Sequence, residues 1–191
     1  MDWILASASP RRRELLAEII EKFEIIPSKA EEVVEGQPSP QELVKALAKL
    51  KAQEVASRKE ARGKAVLGSD TVVVFDGKVL GKPKDEADAF SMLSTLSGNT
   101  HEVYTGVCIL YPQSDGGQGE LLEADCTEVV FERLTEEKIW EYISTGSPMD
   151  KAGAYGIQDG GLVKEIKGSF TGVVGLPIEL VKRMIESIIE K

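Results

Sequence analysis

The chain has 191 residues, 42% of them hydrophobic, which is enough to bury a substantial core as a single domain over residues 1–191. Its formal net charge of −9 excludes a broad surface for nucleic acid or an anionic membrane, so any anion site must be a local basic pocket. No signal-peptide pattern and no apolar stretch of about 18 residues occurs, so we expect a cytoplasmic protein that does not bind a membrane.

The first predicted helix begins with an unusual run of positive charge. A strand at Ile4–Leu5 is followed by Ser9, a typical N-cap residue, and by Pro10, which favours the first helical position. The exposed N–H groups of a first turn disfavour each cation by about 0.3–1 kcal/mol, yet three arginines follow: Arg11, Arg12 and Arg13. Such a helix start is suited to bind phosphate. The alternative is a solvated basic turn that pairs with nearby glutamates.

The next elements alternate between strands and helices. A second strand is predicted at Phe23–Ile26, followed by a helix that begins at Ser39-Pro40 with a capping box and runs to about Ala61. A strand then enters a hairpin, because Asp76-Gly77 is a strong two-residue turn signal between β-branched runs. The third predicted helix stops at Gly98.

The second half of the chain predicts more strands and helices. Residues 101–111 and 121–134 alternate over a long distance and predict an antiparallel pair with a flexible tip. A short helix, a glycine-rich segment, a strand near Leu162–Ile166 and a helix from Pro177 follow. The mixture predicts an α/β fold of the mixed α+β kind, with a mixed sheet covered by helices. Neither G-x-G-x-x-G nor G-x-x-x-x-G-K-[ST] occurs, so a doubly wound nucleotide-binding sheet is not indicated.

The cysteines and the only histidine indicate no metal centre or nucleophile. Cys108 and Cys126 fall in predicted strands without a C-x-x-C pattern, so we interpret both as free core thiols and expect no zinc. His101 would have to support any Ser-His-Asp mechanism alone. Its place at the start of a strand is more typical of a structural or surface histidine.

Four charged residues are candidates for chemistry. Asp70 interrupts an apolar strand signal, and a buried carboxylate needs partners or a metal, unless it is a turn residue after the preceding Gly-Ser. Lys51 projects within the apolar arc of the second predicted helix, so its ammonium either reaches a cleft or snorkels past the core edge. Taken alone, Glu32 and Lys82 are typical of solvated surface positions.

The segment DKAGAYGIQ, residues 150–158, combines small residues with polar ends. Its glycines let backbone amides approach a ligand closely, and Gln158 offers a hydrogen-bond donor and an acceptor together. By itself the segment also fits a tight loop. Together with the cations and the embedded carboxylate, it indicates a site that combines phosphate, metal and base.

Six motifs occur in order along nearly the whole chain: SASPRR (7–12), GSDTVV (68–73), LGKP (80–83), LSG (96–98), DKAGAYGIQ (150–158) and VVGLP (173–177). Together they closely resemble the Maf family of nucleoside triphosphate pyrophosphatases, in the branch that acts on dTTP and UTP. The resemblance implies the inosine-triphosphate-pyrophosphatase-like fold, an elongated mixed β-sheet flanked by helices with a deep cleft between two lobes, and a homodimer. It also implies hydrolysis of the α–β phosphoanhydride to a nucleoside monophosphate and pyrophosphate, with Mg²⁺ or Mn²⁺.

The resemblance also implies a role for each matched residue. Asp70 would be the proton acceptor and, with Glu32, a metal ligand. Base specificity would depend on Arg12, Thr71 and Gln158. Phosphate contacts would come from Ser7, Ser9, Arg11, Lys51 and Lys82. Ser69 departs from the family, which commonly has alanine there, and its hydroxyl could alter the hydration of a metal at Asp70.

Two other functions remain open on this reading. A nucleotide-binding regulator of septum formation with little hydrolysis would use the same cations. In such a protein Asp70 would face the phosphates without benefit unless a metal screened it. A purine-selective pyrophosphatase on the same fold would differ only in its preferred bases.

Overall fold

A seven-stranded mixed sheet forms the centre of the protein in the computed structural model, which describes residues 1–189. Its strands are β1 (Trp3–Leu5), β2 (Glu24–Ile25), β3 (Ala65–Phe75), β4 (Lys78–Leu80), β5 (Thr100–Pro112), β6 (Gln118–Phe131) and β7 (Val163–Lys167). The helices are α1 (Pro10–Ala17), α2 (Pro40–Ala56), α3 (Glu86–Leu96), α4 (Glu136–Ser144), α5 (Phe170–Val174) and α6 (Ile178–Ile189). The predicted mixed α/β class is confirmed, and the last two residues of the predicted domain lie outside the described range.

The strand order leaves one stretch of β3 open along one edge. The order is β2-β1-β3-β5-β6-β7, and β4 also pairs with β3. Because β5 pairs along residues 66–74 of β3, both β1 (at 65–67, parallel) and β4 (at 73–75, antiparallel) must lie on the opposite edge. Within the described chain, residues 68–72 therefore have a neighbouring strand on one edge only, and the cleft opens at this gap.

Two glycines allow α2 to lie directly on the sheet. A Cβ atom at Gly68 would be 2.4 Å from the carbonyl oxygen of Ala48, and one at Gly106 would be 2.2 Å from that of Val44. The backbones of α2, β3 and β5 thus approach more closely than side chains would permit. This close packing brings Lys51, one turn after Ala48, over the open stretch of β3.

Separate apolar clusters lie towards the two ends of β3 and β5. One packs α1 and α6 against the sheet and includes Leu16 and Val181. The other packs α3 and α4 against the opposite end and includes Leu93 and Ile143. Both clusters lie on the face of the sheet opposite α2, and each removes apolar surface from water at its own end. On that face the middle of β3 is therefore left as the floor of a cleft between two lobes.

Several local predictions are confirmed in detail. Ser9 caps α1, because its hydroxyl accepts a hydrogen bond from the N–H of Arg12, and α2 begins with the predicted capping box. The hairpin turn has both Asp76 and Gly77 at positive φ (49° and 71°), as a two-residue turn of this kind requires. The antiparallel pair of β5 and β6 is confirmed over thirteen matched positions, from Thr100 to Pro112 of β5.

Two helix predictions differ from the structure. The second helix, α2, ends at Ala56 rather than near Ala61. Arg58 has an extended backbone (φ −81°, ψ 152°), and its guanidinium bonds to Glu54 and to the carbonyl of Pro27, which stabilises the earlier end. Helix α5 was not predicted, because five residues are too few to show a helical period.

The expectation that both cysteines are core thiols is wrong for Cys126. Cys108 is buried, but Cys126 is exposed. Leu122 and Ala124, on the same face of β6, pack beside residues of α2, whereas Cys126 lies further along the strand, where that cover ends. Of the helices in residues 1–189, none combines the length and apolar character needed to cross a membrane.

Candidate active site

The cleft contains a cavity of about 660 Å³ and a second cavity of about 420 Å³. The two cavities adjoin, because several residues line both of them. The larger cavity is lined by nine of the ten predicted site residues: Ser9, Arg11, Arg12, Glu32, Lys51, Asp70, Thr71, Lys82 and Gln158. The tenth, Ser7, lines the smaller cavity, which adjoins the start of α1. The structure thus brings together all ten predicted site residues from distant parts of the chain.

A carboxylate and an ammonium meet on the floor of the cleft. Asp70 lies within β3, opposite Gly106, and is 8% exposed, so it is not a turn residue. The ammonium of Lys51 donates a hydrogen bond to Asp70 and lies 2.9 Å from Glu32 Oε1. Lys51 therefore reaches the cleft rather than snorkelling past the core edge. Glu32 is 58% exposed in its side chain but is tied to the same cation.

Arg12 joins the start of α1 to the floor and to Gly175, at the end of α5. Its Nε donates to the carbonyl of Gly175 (2.8 Å), its Nη2 to Thr71 Oγ1 (3.2 Å) and its Nη1 to Ser7 Oγ (3.4 Å). Burial lowers the pKa of Arg12, and the negative charge of Asp70 opposes that shift. Arginine remains protonated in proteins, so the guanidinium acts as a fixed fork of donors.

The extra hydroxyl of Ser69 has a structural partner. Its Oγ donates to the carbonyl of Gly175 at 3.1 Å, the same oxygen that accepts from Arg12. Successive side chains of a strand point to opposite faces, so this hydroxyl faces away from the carboxylate of Asp70. The idea that it alters the hydration of a metal at Asp70 is therefore not supported by its position.

The remaining cations surround the entrance at the start of α1. Arg11 lies 4.0 Å from Asp150 across the cleft, and Lys82, directly after β4, is exposed at the rim. Ser7 accepts a hydrogen bond from the N–H of Ser9 (3.2 Å), so both serines face the helix start. This end of the cleft presents hydroxyls, cations and a helix N-terminus, a combination suited to phosphate.

The opposite wall is a run of short turns rather than a regular element. Three 3₁₀ turns occupy residues 147–159, and Gln158 lies in the last of them with an exposed side chain. Sequence reasoning missed the polar side chains that support this wall. They are Tyr142, Ser147, Lys151 and Asp159, joined by hydrogen bonds of 2.6–2.7 Å.

Comparison with known proteins places the chain in a family. The family model described as Maf-like protein matches residues 2–188. The chain belongs to the Maf family. It is 50% identical over 185 residues to a protein of Thermococcus gammatolerans named dTTP/UTP pyrophosphatase, covering 96% of this chain and 95% of that one. A Clostridium novyi protein of the same name is 52% identical over 93% of both chains.

A solved structure supports the fold assignment. The Ham1 protein of Staphylococcus aureus superposes with a TM-score of 0.54 at 16% identity, with 100% of each chain covered. At this identity the likeness concerns the fold alone. It agrees with the mixed sheet and helices of this Maf protein.

In this Maf protein, His101 lies beneath the wall and contacts Tyr155. It is 2% exposed, its Nε2 lies 2.7 Å from the hydroxyl of Tyr155, and its ring packs edge-on against Phe131. Burial lowers the pKa of His101 to about 4, so the ring is neutral at neutral pH. Of the two predicted alternatives, a structural or a surface histidine, His101 is the buried, structural one.

The predicted donors for a metal are two carboxylates, those of Asp70 and Glu32. Within residues 1–189, no cluster of three or more histidine, cysteine or acidic side chains could hold a metal ion by itself. Asp70 and Glu32, however, converge on one cation, the ammonium of Lys51. Mg²⁺ is commonly bound by one or two carboxylates together with substrate phosphates and water, so this donor set fits a metal that arrives with a nucleotide.

Proposed function

We propose that this Maf protein hydrolyses dTTP and UTP to the nucleoside monophosphate and pyrophosphate. The observation that carries the proposal is the position of Asp70, a carboxylate embedded among the cations of a cleft large enough for a nucleotide. Phosphate binding alone gains nothing from a negative charge at that place unless a metal screens it, whereas hydrolysis also needs a group that accepts a proton from water. The names of relatives at about 50% identity support the same reaction.

The triphosphate would lie at the end of the cleft near α1. The helix start, the hydroxyls of Ser7 and Ser9 and the side chain of Arg11 would bind its oxygens. Lys51 and Lys82 would face the β- and γ-phosphates and stabilise the negative charge that develops on the leaving pyrophosphate. This arrangement explains why Arg11 and Arg12 begin a helix, because the ligand's charge outweighs their repulsion; Arg13 is exposed and lines neither cavity.

Asp70 would accept the proton of the attacking water at a carboxylate oxygen. Asp70 and Glu32 are also the residues that would hold Mg²⁺ or Mn²⁺. When bound, the metal would neutralise charge on the phosphate oxygens and lower the pKa of a bound water. Lys51 pairs with both carboxylates and so keeps them close together before substrate arrives.

Base selection would depend on the wall opposite α1. The amide of Gln158 can accept a hydrogen bond from the imide N–H of uracil or thymine and donate one to a ring carbonyl. Arg12 and Thr71 are hydrogen-bonded to each other, so they would act as one unit between the phosphates and the base. The homodimer stays a prediction from the family resemblance, and the cytoplasmic location stays a prediction from the sequence pattern.

The reaction can be tested by phosphorus NMR of the products formed from dTTP, UTP, CTP, ATP and GTP with Mg²⁺ or Mn²⁺. We expect monophosphate and pyrophosphate from dTTP and UTP, and a loss of about 100-fold or more in Asp70→Asn. Asp115→Asn, in the β5–β6 turn, is a matched control that should retain the wild-type rate. Tight nucleotide binding without pyrophosphate release by the wild type would favour the septum regulator, and preference for ATP or GTP would favour the purine-selective enzyme.

A further inference from the structure

Gln158 is held in place through the residues on either side of it. The hydroxyl of Tyr142, in α4, donates to Asp159 Oδ2 (2.6 Å) and accepts from the N–H of Gly156 (3.0 Å). One phenol thus bonds to the chain two residues before Gln158 and one residue after it. The turn that carries Gln158 is tied to a regular helix by this single side chain.

A second set of hydrogen bonds keeps Asp159 in position. Ser147 Oγ donates to Asp159 Oδ2 at 2.6 Å, and Lys151 Nζ donates to Ser147 Oγ at 2.7 Å and to the carbonyl of Ser147 at 2.6 Å. The ammonium of Lys151 lies 3.9 Å from Asp159 Oδ2. Burial opposes ionisation of Asp159, but the hydrogen bonds from Ser147 and Tyr142 outweigh it and lower the pKa of the carboxyl. Asp159 therefore accepts these bonds as a carboxylate.

The exposed side chain of Gln158 places its amide beside Gly156 and the stem of Lys151. A Cβ atom at Gly156 would be 2.7 Å from Lys151 Cε and 2.8 Å from Gln158 Nε2. The stem of Lys151 and the amide of Gln158 thus close over the same glycine, with no room for a larger residue. Lys151 is 8% exposed, so its stem is a fixed part of the wall.

We propose that Tyr142, Asp159 and Lys151 are positioning residues that set the orientation of the Gln158 amide and thereby the selectivity for uracil and thymine. This inference rests on the proposed function. The two ends of an amide differ in that one accepts and the other donates hydrogen bonds. Uracil presents a ring N–H where cytosine presents a ring acceptor. An amide that can rotate and exchange its donor and acceptor ends therefore binds both bases. A fixed amide rejects cytosine, because a polar group would be left unpaired.

The test is a double-mutant cycle on base selectivity. We expect Tyr142→Phe to lower the ratio of kcat/KM for UTP over CTP by roughly five- to tenfold, with the loss mainly in KM, because one hydrogen bond on each side of Gln158 is lost. Asp159→Asn should have a smaller effect, since its amide oxygen can still accept from Tyr142. In a Gln158→Leu background, Tyr142→Phe should not change the ratio further. Tyr111→Phe, in the β5–β6 pair, is the matched control and should keep the wild-type ratio.

The same ratio can be measured without turnover. The dissociation constants of α,β-imido-UTP and α,β-imido-CTP, measured by calorimetry for each variant, should show the same loss. An unchanged ratio in Tyr142→Phe, or an equal change in the Gln158→Leu background, would overturn the inference. Failure of the proposed function looks different: the wild type would release no pyrophosphate, while Tyr142→Phe would still change relative binding of the two analogues.

Discussion

The two halves of the cleft are built in different ways. The phosphate half, made of Ser7, Ser9, Arg11, Lys51 and Lys82, lies on or next to regular elements whose backbones fix each side chain. The base half, residues 147–159, contains no regular element longer than a 3₁₀ turn. It is held by hydrogen bonds between side chains and by the His101–Tyr155 contact beneath it.

This difference predicts how each half responds to substitution. In the phosphate half, Arg11 and Lys51 pair with carboxylates, and a lost side chain changes the electrostatics while the backbone stays in place. In the base half, a lost side chain frees a segment that has little secondary structure to retain it. Substitutions in the phosphate half should therefore act on charge and metal binding, and those in the base half on geometry.

The largest effect is expected for Lys51→Met. Asp70 would lose its bonded cation at the cleft floor, and leaving one partner of a buried pair uncompensated costs about 4 kcal/mol of unfolding free energy. Mg²⁺ should restore much of this loss, because the two carboxylates then have another cation to bind. The measurement is urea unfolding with and without millimolar Mg²⁺.

The control is Lys49→Met, on the same helix, which removes an exposed pair with Glu120 and should cost less than about 1 kcal/mol of unfolding free energy. Equal losses and equal recovery in both variants would contradict a special role for the Lys51 pair.

The base half should show its dependence on a neutral His101 as the pH falls. The folded-state pKa of His101 is about 4, against 6.5 for an unperturbed histidine. Below pH 6.5 the unfolded chain binds a proton that the folded protein does not, so stability decreases down to about pH 4, by about 3 kcal/mol in total. His101→Gln should be less stable at pH 7 but should lose about 3 kcal/mol less over this window. Parallel urea-unfolding profiles of the two proteins between pH 7.5 and 4 would disprove this account.

The phosphate half was largely predictable because its signals are local. Ser9 and Pro10 predict a helix start from adjacent residues, and the position of Lys51 on α2 follows from the helical period. The gap along residues 68–72 could not be predicted, because it exists only when β1 and β4 share one edge of β3. The motifs predicted that Asp70 is a site residue, but its position on the floor of the cleft follows from the pairing of the strands.

The side chains that hold the base half in place are almost impossible to identify from the sequence. Tyr142 fits a polar position of a short helix, and Asp159 before two glycines fits an ordinary turn. The one available hint was Lys151, a charge within a run of small residues that would otherwise suit burial. Its partners could not be identified, because their hydrogen bonds depend on how α4 packs against the turns rather than on spacing along the chain.

The smallest predicted effect concerns the irregular segment that carries Glu32 and lies beside the phosphate half. Glu54, in α2, accepts hydrogen bonds from the N–H of Lys29 (2.8 Å), from Ser28 Oγ (3.1 Å) and from Arg58 Nη2 (2.7 Å). Glu54→Gln keeps an acceptor but removes the charge, so we expect about 1 kcal/mol of destabilisation at low salt and less at high salt. The loosening should be local, and hydrogen exchange at Lys29 should accelerate while exchange in β3 does not.

Glu120→Gln is the matched control, because it removes a charge from an exposed pair that holds no loop. If exchange at Lys29 is unchanged in Glu54→Gln, the segment is held by Glu32 and Lys51 instead, and the phosphate half then depends on its charged pair even for its geometry.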